Sequence, residues 1–366
     1  MKTLLFFALA LISTPSLSSE NSCEAFDLRD NQGSMSEVII SQQDENMGTC
    51  YANAISMAND AWTYSHKKDE VANSNQILRT SYLALASEFG MSEKRDFSSG
   101  SQKNGRLYFE SGGIDSLLNL MLVKREYCTT KNGKSLLEEI TDQKMYKDLV
   151  ALGNIYQTYS KSFDNGSNLL TDLEKKEDFK EIVKKLTDSN REKLYSILKA
   201  VASEDKKVGG QDFIHRVIVN SCEKLEELKW HKYRSFAFED VLSHTHRTNL
   251  KKGFINHFSK KENAQPLIIS FCKTAVQERS KSLDSMIESS APVPSDEVFS
   301  KYCGAHASLI VARKEVAGNC KLVIRDNMNC DDESAKKMNA TCDGPDFAID
   351  QDYFNSFIMS INVITE

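Results

Sequence analysis

The chain has 366 residues, a hydrophobic fraction of 40% and a formal net charge of -6, with a pI near 5.8. That length allows about two domains of roughly 100 to 200 residues each, with apolar content enough for a core. The acidic balance excludes a nucleic-acid binder, which wants a basic face.

Met1-Lys2, the apolar residues 4–12 and the small residues Ser16-Leu17-Ser18 have the layout of a signal peptide over 1–18. A secreted or periplasmic location follows. No later apolar run reaches the roughly 18 residues of a membrane helix, so no membrane span is expected.

Residues 19–129 are expected to form a helical unit. Beyond the turn Met47-Gly48-Thr49, the residues Ala52, Ala54, Ile55, Met57 and Ala58 predict a buried helix with Cys50 in its first turn. The positive end of the helix dipole there favours a thiolate. After Ser111-Gly112-Gly113, the spacing of Ile114, Leu117, Leu118 and Met121 predicts a second buried helix.

From 130 to 262 the sequence turns charged and helix-forming. Phe179, Ile182, Val183 and Leu186, and then Leu194, Ile197, Leu198 and Val201, repeat a helical face, so an all-α insertion is expected. Within it, His244-Thr245-His246 lacks a Cys or acidic pair at metal spacing, and no metal or cofactor is expected. Residues 263–366 change period again. The runs 267–271, 307–311, 321–325 and 357–363 predict a β-rich unit.

Nine cysteines follow the leader's logic of an oxidising compartment. An odd number in an exported chain marks one thiol kept free, and Cys50 is the candidate. The remaining eight can form four bridges, of which only Cys330 with Cys342 is singled out, because they flank a short polar loop.

A nucleophilic thiol needs a base, a group that orients the base, and donors for an oxyanion. His306, in Cys303-Gly304-Ala305-His306-Ala307, is the histidine with open space around it and an apolar strand behind it. Phe26-Asp27-Leu28-Arg29, Gln43, Gly48-Thr49-Cys50-Tyr51-Ala52-Asn53-Ala54, Ser111-Gly112-Gly113, Gln265-Pro266-Leu267-Ile268-Ile269, Gly304-Ala305-His306-Ala307 and Val323-Ile324-Arg325-Asp326-Asn327 stand in the order of landmarks in another family. The set resembles the papain-like cysteine peptidases of bacterial secreted type, over about 26–129 and 263–366. The Cys50 to His306 separation exceeds the family's about 130 to 150 residues by roughly a hundred, which matches the unmatched segment.

The resemblance implies an α+β fold of two lobes, a helical one and a β-barrel-like one, with the site between them. It implies Cys50 as nucleophile, His306 as base, Asp326 as orienter where the family places an asparagine, and Gln43 as oxyanion donor. The function implied is a secreted cysteine endopeptidase that hydrolyses protein or peptide substrates through an acyl-enzyme, and that is monomeric. Two alternatives share those residues: an inactive papain-like binding or scaffold protein, and a thiol acyltransferase.

Overall fold

The computed structural model describes Cys23 and residues 25–30, 33–38, 48–66, 78–93, 109, 112–131, 151–154, 156, 169–185, 188–202, 210–237, 249–250, 253, 264–277 and 303–366. The signal-peptide segment 1–18, Gln43, His244 and His246 lie outside the described residues.

In chain order the elements are β1 (Phe26–Asp27), α1 (Cys50–His66), β2 (Leu78–Thr80), α2 (Tyr82–Ser92), α3 (Ile114–Lys124) and β3 (Glu126–Lys131). There follow α4 (Leu169–Leu173), α5 (Glu177–Lys185), α6 (Asp188–Ala202), α7 (Gly210–Val219), β4 (Lys224–Glu227) and β5 (Lys232–Ala237). The chain ends with β6 (Leu267–Cys272), α8 (Lys273–Gln277), β7 (Ala305–Val316), β8 (Asn319–Arg325), α9 (Asp332–Lys337), β9 (Ala340–Asp343), β10 (Asp346–Asp350), α10 (Gln351–Phe354) and β11 (Ile358–Thr365). The fold is α+β.

The larger sheet runs β5-β11-β6-β7-β8-β10-β9, with β1 also pairing β7. Its neighbouring strands all pair antiparallel. Among the described residues this path is open and does not close into a barrel. Its centre is the β7–β8 hairpin, whose two-residue turn places Ala317 and Gly318 at φ 51° and 78°. Both angles are left-handed, the geometry that matches the twist of paired strands.

Alternation along β7 separates two cores. Ala307, Leu309 and Val311 face the helices, while Ile310 joins Phe271, Ile324, Phe347 and Phe354 on the opposite face. α1 is buried on almost every side, from Tyr51 through Trp62. Its alanines at 52, 54, 58 and 61 are each nearly inaccessible, and such small side chains let β7, α2 and β2 pack closely around its backbone.

The segment 130–262 is not all helical. α4 to α7 are helices, but β4 pairs with β3 in a second sheet, β2-β3-β4, and β5 forms an edge of the large sheet beside β11. The cause is tertiary: strands this short gain their stability from partners supplied elsewhere in the chain. Trp230, fully buried between β4 and β5, donates from its indole N–H to Asn59 on α1 at 2.8 Å, and Arg125 donates to the Trp230 carbonyl at 3.0 Å. This stretch ties the helical part to the large sheet.

Four bridges form, Cys23–Cys320, Cys128–Cys222, Cys272–Cys303 and Cys330–Cys342, and Cys50 alone is free. A partly buried ion network joins the chain's early residues to the far end of the sheet. Arg29 donates to Asp346 at 2.9 Å, to Asp343 at 2.6 Å and to Asp27 at 2.7 Å. Arg325 donates from Nε and Nη2 to the two oxygens of Asp346 at 2.9 and 3.0 Å, a paired geometry that suits guanidinium and carboxylate. Asp346 itself is fully buried.

Candidate active site

α1 begins at Cys50, so the half-buried thiol stands at the positive end of the dipole of a 17-residue helix. Tyr51 follows, fixed by its hydroxyl donating to the Phe109 carbonyl at 2.8 Å. Gly112 lies flat on that ring. A Cβ added there would sit 2.2 Å from Tyr51 Cζ, so the glycine is required by close approach.

His306 is the second residue of β7, opposite Phe271 on β6. Phe271 presents its ring to the imidazole at 88°, with centroids 5.4 Å apart. Asp326 directly follows β8 and is held from behind, because Arg325 is clamped by Asp346 and donates to the Val38 carbonyl at 2.9 Å. Asp326 Oδ1 accepts from the Asn327 backbone N–H at 2.7 Å and stands 2.7 Å from His306 Nε2. A carboxylate can only accept, so Nε2 carries the proton and Nδ1 is left for the thiol.

The electrostatics follow from that arrangement. Burial pushes the Cys50 thiol up, but a hydrogen bond and positive charge from His306, with a backbone hydrogen bond from Ala307, outweigh it and hold the thiol below its ordinary value. Burial pushes the His306 imidazolium down, yet the charge and hydrogen bond of Asp326, then those of Cys50, raise it to about 9. Burial likewise opposes ionisation of Asp326, which the His306 charge and hydrogen bond, with help from Lys273, keep below the usual carboxylate range. The shifts favour the charged form of all three groups, a state of thiolate, imidazolium and carboxylate. Such a state offers a nucleophile already ionised and a proton ready for a leaving group.

Cys50, His306 and Asp326 come together although they lie far apart in the chain. Phe271 and Lys273 are not legible in the sequence as site residues, and Ala307 is legible only as a neighbour of His306 in its landmark. Phe271 belongs to an apolar run that reads only as strand, and its place against His306 depends on the β6–β7 register.

No family model matches the chain, and no curated protein matches it. Among solved structures there is a likeness to PepW from Lactobacillus rhamnosis HN001, at 10% identity and a TM-score of 0.44, over 92% of this chain and 81% of that one. A likeness at that level carries no argument about family or activity. Among the described residues no helix is long and apolar enough to cross a membrane.

Proposed function

We propose that the protein is an exported, papain-like cysteine peptidase acting through Cys50. The observation that carries this reading is the thiol at the start of a buried helix, its charge favoured by an imidazole whose Nε2 meets the buried Asp326 carboxylate at 2.7 Å. In the proposed reaction the Cys50 thiolate attacks a peptide carbonyl, forming a carbon–sulfur bond and an oxyanion. The Cys50 backbone N–H and the Gln43 amide receive that oxyanion. His306 gives its proton to the departing amine, leaving a thioester on Cys50, and then takes a proton from the water that hydrolyses it. Asp326 keeps the ring in one tautomer and one orientation throughout.

Two lobes, 19–129 and 263–366, would carry the halves of this site, with 130–262 inserted between them. Four bridges fit an oxidising compartment and hence export behind the leader 1–18. Incubation with a peptide library, with product sequencing, tests the reading. Cleavage that disappears in Cys50→Ala and His306→Ala, both still folded, supports it. Cleavage that survives both substitutions rejects it, and aminolysis products in place of hydrolysis would point to acyl transfer.

A further inference from the structure

The start of β7 is latched to the end of β6 by more than the strand ladder. Cys272 is bridged to Cys303, three residues before His306. The Lys273 N–H donates to the Gly304 carbonyl at 3.0 Å, and the Gly304 N–H donates back to Thr274 Oγ1 at 3.0 Å. Gly304 is thereby gripped on both its polar groups by two consecutive residues. It is also the residue with the most backbone freedom in this stretch, and the one through which rotation would swing Ala305 and His306.

The latch needs both partners. A Cβ at 304 would lie 2.4 Å from Thr274 Oγ1, so only glycine admits the hydroxyl so close. Conversely, only an acceptor at 274 restrains the glycine's N–H. The ladder then continues through Cys272 opposite Ala305 and Phe271 opposite His306, which carries the restraint to the ring. The charged and titratable groups acting on that ring are Asp326 and Cys50, while Lys273 acts on Asp326.

We propose that Thr274 is a positioning residue for the site: through Gly304 it holds the His306 ring in register with Cys50 and Asp326. This rests on reading Cys50 and His306 as a working pair. It assigns to a threonine outside the triad the task of keeping that pair assembled.

The test measures the rate of Cys50 alkylation by iodoacetamide against pH, which needs no peptidase activity. The wild-type thiol should ionise below the free value of about 8.5. Thr274→Val keeps the side chain's shape and removes the acceptor. It should slow alkylation near about pH 6 by about fivefold, the worth of one neutral hydrogen bond, and lower kcat similarly with KM unchanged. Thr274→Ser restores the hydroxyl and should return both to within about twofold of wild type. A depressed wild-type thiol with an unaltered profile in Thr274→Val overturns the latch and leaves the peptidase reading standing. An ordinary thiol in the wild type overturns the pair, and the latch with it. Should Thr274→Val fail to fold by circular dichroism, Gly304→Ala decides, because it breaks the same contact from the other side. An unchanged profile there also overturns the proposal.

Discussion

Replacing Asp326 by asparagine separates the charge at this position from its hydrogen bonds. One oxygen, Oδ1, meets both His306 Nε2 and the Asn327 N–H, each at 2.7 Å. An amide oxygen in that place can accept both, so the ring keeps its orientation while the full negative charge disappears. His306 is held to about 9 against an ordinary 6.5, which corresponds to about 3 kcal/mol in favour of the protonated ring. An opposite charge at contact distance moves a pKa by about 1 to 3, so the ring in Asp326→Asn should lose its proton about 1.5 pH units earlier. The sign is fixed: activity needs imidazolium, and the basic limb of kcat/KM must move to lower pH. The assay is a fluorogenic peptide followed from about pH 5 to about pH 10, with the limbs assigned to the coupled pair rather than to single residues. Near neutrality much of the rate should remain. Asp326→Ala, which removes the acceptor as well, should lose about a hundredfold in kcat, as expected when a general base loses its orientation. A basic limb unmoved in Asp326→Asn would refute the assignment of the raised imidazolium to Asp326.

Arg29→Met should destabilise the fold by about 2 to 4 kcal/mol in urea unfolding, since it strips charged hydrogen bonds from Asp27, Asp343 and the buried Asp346. Burial raises Asp27, but the Arg29 and Lys314 bonds bring it to about 2, below the ordinary 3.8. Its stabilising contribution is therefore complete above about pH 4 and lost as pH falls through about 2, so part of the deficit of Arg29→Met should vanish on acidification. Gly112→Ala should cost about 1 to 3 kcal/mol, measured as a lowered unfolding midpoint, because its Cβ meets a Tyr51 ring that cannot retreat. Alkylation of the unfolded but unreduced mature protein should modify Cys50 and no other cysteine, and peptide mapping that found three alkylated positions would contradict the four bridges.

Local patterning reveals the elements whose stability is local. The buried helix at Cys50, the helix at Ile114, the apolar runs that become β6, β7, β8 and β11, and the Cys330–Cys342 bridge can all be read in this way. β2 and β4 cannot, being three and four residues long, with Lys224-Leu225-Glu226-Glu227 presenting three charges. Their identity as strands comes from pairing with β3, far away in sequence. The Asp-Leu-Arg stretch stands out only as a landmark. Its physical role depends on Asp343 and Asp346, which the β9–β10 hairpin delivers to Arg29. The nearness of Cys50, His306 and Asp326 is legible only through the order of the landmarks around them. Phe271 and Thr274 are hidden because a contact across a strand register leaves no trace in the residues beside it.

The central claim is that Cys50 is a thiolate nucleophile for peptide bonds, and titration with an epoxide thiol inhibitor tests it most directly. Residual cleavage of a peptide substrate is measured at each addition, and the adduct is located by peptide mapping. The account predicts that cleavage falls in proportion to label, reaches zero at one adduct per chain, and that the adduct is on Cys50. Cleavage that persists when Cys50 is fully modified, or a protein whose Cys50 stays unlabelled near neutral pH and which cleaves no peptide, would contradict it.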